Sequence, residues 1–120
     1  MNTREWIEKI GNTIDAKDSE GFASFITEDG IFRFGNQPEV SGRKAISDYV
    51  AAFFTMIKKS QHSVVNIWDI KDSVIWQGQV LYTRLDDKQV NINFTNIFYM
   101  KDKLISDYLI YIDNSPLFAE

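Results

Sequence analysis

Arg84 and Asp86 stand one residue apart in the stretch Val80-Leu81-Tyr82-Thr83-Arg84-Leu85-Asp86. Side chains two positions apart on a strand share a face, so the guanidinium and the carboxylate can meet. Such a pair can act on or anchor a ligand, or it can be a structural ion pair at a sheet edge. Asn96 is the one polar member of an alternating apolar row, Val90, Ile92, Phe94, Phe98 and Met100. It can hydrogen-bond a ligand, or be satisfied by backbone or water. His62 is the only imidazole in the chain. Histidine is the usual proton acceptor near neutral pH, but its place after Ser60-Gln61, at the start of an expected strand, favours a surface or structural role. Asp113 closes the last expected strand and is read as tying down the tail.

Other chemistries are not expected. The chain has no Cys, which removes disulfides, thiolate nucleophiles and Cys-based zinc sites. One His among scattered carboxylates lacks the ligand density of a metal site and supports no Ser-His-Asp arrangement. No glycine-rich phosphate loop occurs, and no cofactor is expected. Net charge is −4. The only basic run is Lys58-Lys59, so neither nucleic acid nor a membrane surface is an expected partner. The N-terminal MNTREWIEKIG is charged and unlike a signal peptide. The longest apolar run, about 49–57, falls short of the ~20 residues that span a bilayer. These features together predict a cytoplasmic protein.

The elements that must position these residues follow from pattern. The 120 residues contain two prolines and no linker, repeat or low-complexity tract, which predicts one domain, 1–120. Ile7, Ile10 and Ile14 recur at helical spacing, with Asn2 and Glu5 at capping-box spacing, predicting a helix over about 3–16. Asp15 to Asp18 breaks that pattern. A second helix is expected over 19–27, with Gly30 as its stop signal. IFRF at 31–34 reads as a strand and Gly35-Asn36-Gln37-Pro38 as a turn. From Ser41 or Gly42 a third helix carries Ile46, Tyr49, Val50, Phe53, Phe54 and Ile57 in one stripe.

The second half predicts four strands, 62–70, 73–85, 89–100 and 103–113, joined by short polar connections in an antiparallel meander. Helices followed by a meander give an α+β order, and long strands beside a helix stripe imply a sheet curled around it. In 73–85 the even set, Val74, Trp76, Gly78, Val80, Tyr82 and Arg84, should face inward, as should the even set of 89–100. For 62–70 neither face is preferred. In 103–113 both faces are mostly apolar, which implies coverage on two sides, by the helices and by a second copy of the chain. Trp76, Tyr82, Arg84, Asn96 and Tyr108 would then line an aromatic concavity with few polar groups, the make-up of a site for an apolar small molecule.

Three strings in this order carry a resemblance: Glu28-Asp29-Gly30-Ile31-Phe32, then Asn36-x-Pro38-x-x-x-Gly42-Arg43-x-x-Ile46, then Tyr108-x-x-Tyr111-x-Asp113 with the tail Asn114-Ser115-Pro116-Leu117-Phe118. Over essentially its whole length the chain resembles the nuclear-transport-factor-2-like superfamily, and within it the SnoaL-like proteins. The resemblance implies a cone: three N-terminal helices packed in a strongly curved, mainly antiparallel sheet, with a pocket at the open end. It implies a small-molecule-binding protein, as a cofactor-free lyase, isomerase or hydrolase. It also leaves open a non-catalytic module that dimerises through the outer sheet face, with Asp107 on that face. By similarity to the limonene-epoxide hydrolases, Arg84 and Asp86 fall on a catalytic Arg-x-Asp strand and Asn36 on a water-binding position. Phe34 replaces their Tyr and Ile110 their second Asp, which leaves that triad incomplete. The base and second acid of the ketosteroid isomerases fall on Arg33 and on Phe94 or Thr95, none of them acidic.

Overall fold

Asn2 opens the first helix by accepting a 2.8 Å bond from the Glu5 N–H, the capping arrangement that its spacing predicts. A computed structural model describes residues 2–119. It contains α1 (Thr3–Asp15), α2 (Ser19–Ala23), β1 (Ile26–Phe34), β2 (Val40–Ser41), α3 (Arg43–Phe54), β3 (Ile57–Ile70), β4 (Ser73–Arg84), β5 (Gln89–Lys101) and β6 (Leu104–Ile112). A 3-10 turn at Ser115–Leu117 follows. The strands form one six-stranded sheet in the order β2-β1-β6-β5-β4-β3. Every neighbouring pair is antiparallel except β1 with β6. This is the α+β fold with a curved, mainly antiparallel sheet that the sequence predicts.

Two boundaries differ from expectation. The second helix stops at Ala23, and Ile26 already belongs to β1. Phe22, Phe25 and Ile26 suit either period, and pairing decides: Ile26 lies opposite Ile105, whose N–H donates to the Phe25 carbonyl at 2.9 Å. Gly30 is therefore not a helix stop. It sits where the β1–β6 register shifts between Ile26 and Ile31, and a Cβ there would collide with the Ile26 side chain. At the other boundary α3 ends at Phe54, and Ile57 begins β3, five residues before the expected start.

Inward and outward faces of β4 and β5 fall as predicted. Val74, Trp76, Val80 and Tyr82 are buried, as are Ile92, Phe94, Asn96 and Phe98. They pack with Ile7 and Ile10 of α1, Phe22 of α2 and Ile46, Val50 and Phe54 of α3 in one core. In β3 parity changes along the strand. His62 and Val64 turn inward, then the register shifts between Val64 and Asn66, and Ile67 becomes the inward residue. A bulge inserts one residue and so flips the alternation; this is why neither face of 62–70 stands out in the sequence. A similar shift, between Tyr99 and Met100 against β6, puts both Ile105 and Tyr108 inside. Part of the two-sided apolar character of 103–113 therefore comes from the bulge.

Candidate functional site

The inner faces leave a cavity of about 40 Å³, lined on one side by Phe22, Tyr49 and Phe53 from the helices and on the other by His62, Tyr82, Phe94, Asn96 and Tyr108. One water needs about 10–15 Å³ of such space, so the cavity holds roughly three non-hydrogen atoms. Phe34, Ile110 and Ile112 are also part of the wall. Phe53, half-buried near the end of α3, stacks edge-on against Phe34 with centroids 5.0 Å apart and against Tyr82 at 6.0 Å. A larger molecule must displace this ring.

His62 on β3 is part of the cavity wall. Gly11 of α1 faces it; a Cβ there would make ordinary contact, 3.5 Å from His62 Cβ and 3.4 Å from Trp76 Cη2. One turn on, Asp15 comes to the same side of the helix. Its carboxylate lies 2.6 Å from His62 Nδ1, accepts the His62 backbone N–H at 2.9 Å, and accepts the Ser60 hydroxyl at 2.8 Å. The carboxylate takes three bonds from two neighbouring residues of one strand, which fixes both the ring and the helix end. Partial burial pushes the Asp15 carboxyl up. The hydrogen bonds from His62 and Ser60, with the attraction of the imidazole, outweigh it and hold the group below the ordinary carboxylate range. With Nδ1 engaged, the Nε2 atom of His62 has no hydrogen-bond partner among the described residues. The ring is flanked by Trp76 at 5.8 Å and Phe94 at 5.7 Å. An Asp-held imidazole against an apolar cavity is the arrangement of a general base.

Two phenols and an amide supply the remaining polarity. Tyr82 is buried, and its phenol is pushed well up by desolvation and by the Asp15 charge. Tyr108 is pushed up by desolvation and by Tyr82. Both therefore remain neutral hydrogen-bond donors. Asn96 is 3% exposed. Its Nδ2 donates to the Tyr108 hydroxyl at 3.5 Å, and its Oδ1 has no partner among the described residues. A buried acceptor left without a donor costs about 1–3 kcal/mol.

Of the residues singled out in the sequence, Phe34, Tyr82, Asn96 and Tyr108 meet at this cavity. Trp76 lies behind the wall; it is 1% exposed, and its indole N–H donates to the Ser63 carbonyl at 3.2 Å. Asn36 is exposed in the turn after β1, in a shallow groove with Arg33 and Tyr111. Arg84 and Asp86 do pair, Nη2 to Oδ2 at 3.0 Å, but they are not on the cavity wall. Arg84 Nη1 donates to the Pro116 carbonyl at 3.1 Å, so the pair holds the C-terminal tail. Asp113 does so as well, accepting the Ser115 N–H at 3.0 Å. His62 is not a surface residue, and its partner Asp15 was read only as a break in a helix pattern. Spacing along α1 signals Asp15 alone, since Gly11 and Asp15 continue the face of Ile7 and Ile10; nothing of that kind marks His62. Among the described residues no three His, Asp or Glu side chains gather as a metal-binding group, and no helix is long and apolar enough to cross a membrane.

Comparison with known proteins places this geometry. Residues 4–108 match the family described as SnoaL-like domain. No curated protein matches the sequence. Among solved structures, a protein from Catenulispora acidiphila DSM 44928 with a ketosteroid isomerase-like fold, in complex with trimethylamine, superposes with TM-score 0.87 at 14% identity, covering 97% of this chain and 91% of its own. An NTF2-like protein of unknown function from Burkholderia pseudomallei K96243 gives 0.86 at 9%, covering 98% and 95%. An LEH-like epoxide hydrolase from M. tuberculosis gives 0.76 at 12%, covering 93% and 83%. At these identities the likeness is one of fold.

Proposed function

The chain belongs to the SnoaL-like domain family, and we propose that it catalyses proton transfer on a small, largely apolar molecule without a cofactor. One observation carries the reading: His62 stands on the wall of an apolar cavity with Nδ1 held by Asp15 and Nε2 without a partner among the described residues. In the step this arrangement suits, the Nε2 lone pair takes a proton from a carbon next to a carbonyl. The C–H electron pair moves onto the carbonyl oxygen, where a neutral phenol donates to it, and the Asp15 carboxylate stabilises the imidazolium until the proton is returned. Isomerisation follows if the proton returns to a different carbon, elimination if a leaving group departs first.

The epoxide-hydrolase-like alternative depends on Arg84 and Asp86, and their engagement with the tail supports a structural use instead. A homodimer through the outer sheet face remains part of the proposal. It is supported by the uncharged outward set Gln77, Gln79, Asn91, Asn93 and Thr95, flanked by the exposed Tyr99 and Tyr111. A cytoplasmic location fits a chain without cysteine.

The test is deuterium exchange. The protein is incubated in deuterated water with small cyclic ketones, with and without hydroxyl groups, and label next to the carbonyl is followed by NMR. Exchange above buffer is expected for at least one of them, falling roughly a hundredfold in His62→Gln. Exchange that is unchanged in His62→Gln, or absent across the set, contradicts the reading.

A further inference from the structure

Resting on the reading of the cavity as a substrate site, we infer that the molecule it takes is uncharged and carries a hydroxyl group, seated on Asn96 and Tyr108. Asn96 sits mid-sheet, opposite Trp76 on β4 and Ile110 on β6, where solvent does not reach it. Its amide N–H₂ is used on the Tyr108 oxygen, its Oδ1 is buried without a partner among the described residues, and the residue is part of the cavity wall. Tyr108 accepts from Asn96, so its own O–H remains to be given. Side by side, the two residues offer one acceptor and one donor, and a single hydroxyl group answers both.

Other groups fit less well. A carbonyl would set its lone pairs against Asn96 Oδ1. An ammonium would satisfy Asn96 and leave the Tyr108 proton without an acceptor. A carboxylate would meet no cationic Lys or Arg on the wall and would lie near the Asp15 carboxylate, whose charge already reaches Tyr82. The rings of Phe22, Phe32 and Phe98, with centroids 5.0, 5.5 and 4.5 Å from that of Tyr108, make the surroundings of the hydroxyl apolar. That excludes water as a competitor once the site is filled. The ligand class is therefore a small neutral carbonyl compound that also carries a hydroxyl group, of which the hydroxyl is the part seated here.

Phenol and toluene are nearly the same shape and differ in the group at issue. Toluene leaves water more readily, so a preference for phenol must come from polar contacts. Binding of each to the full-length protein is measured by NMR titration, with the His62 ring signal as the site-specific readout, in wild type and in Asn96→Leu. Phenol is expected to bind roughly tenfold more tightly than toluene in wild type, with the ratio collapsing toward one in Asn96→Leu. The wild-type ratio decides the matter even if the variant fails to fold. Equal binding, or tighter binding of toluene, overturns the hydroxyl assignment, shows that water alone meets Asn96, and leaves the cavity reading intact. If neither compound moves the His62 signal, the substrate-site reading falls and the inference with it.

Discussion

At the scale of single residues the account depends on Asp15. Its carboxylate holds the His62 ring and backbone and the Ser60 hydroxyl, so Asp15→Ala strands buried donors and should lower stability by about 1–3 kcal/mol at pH 7, read from urea unfolding. The sign of the pH dependence follows from the direction of the shift. The folded-state pKa lies below the usual value, so the contribution is fully present above the unfolded carboxyl pKa of about 3.9 and is lost as pH falls through the folded value. The lead of wild type over Asp15→Asn should thus narrow as pH falls below ~4. A gap that goes on widening below pH ~4 contradicts this. Little of the pair was legible in the sequence. An Asp at a helix end and a His at the expected start of a strand, 47 positions apart, have no shared pattern until α1 is laid against β3. Asn96 and Tyr82 were legible, because each interrupts or ends an apolar row in a strand with a clean period of two.

At the scale of elements, the bulges and the glycines decide what faces the cavity. Gly78 lies on β4, opposite Val64 of β3 and Phe94 of β5. A Cβ there would run into the Ser63 carbonyl and come within 2.6 Å of Phe94 Cζ and 2.8 Å of Trp76 Nε1. Gly78→Ala is therefore expected to cost about 1–3 kcal/mol by overpacking. The same change should disturb the Trp76–Ser63 bond, seen as a shift of the indole N–H resonance. An alanine variant of wild-type stability would show that β3 and β4 are spaced more loosely than the structure has them. Arg84→Ala tests the tail tether: it should speed protease cleavage after Arg84's partner segment, 114–118, and leave binding in the cavity unchanged. Loss of ligand binding without tail release would return Arg84 to the site. α1, α3, β4 and β5 were legible because each keeps one period over twelve or more residues. The boundaries at 23–26 and 54–57 were not, because Phe22, Phe25, Ile26 and Ile57 satisfy both periods and long-range pairing with β6 and β4 decides between them.

For the molecule as a whole, the cone shape was legible from the order of helices and meander together with the family resemblance, whereas the closeness of its filling was not. Nine aromatic side chains and five aliphatic ones line the cavity, and its volume of about 40 Å³ is what their packing leaves over; no pattern encodes it. The outer face gives a separate prediction: light scattering should find a dimer, and Tyr111→Lys should weaken it, while a wild-type monomer would remove that part of the proposal. The central claim is that His62 presents a bare Nε2 to the cavity because Asp15 holds its Nδ1 proton. His62 is the only histidine, so one ¹⁵N spectrum of the imidazole tests it without assignment. The neutral ring should show the Nδ1–H tautomer, reverting toward Nε2–H in Asp15→Asn. A wild-type ring already in the Nε2–H form would mean that the dyad does not exist as a base, and the proposed chemistry would fall with it.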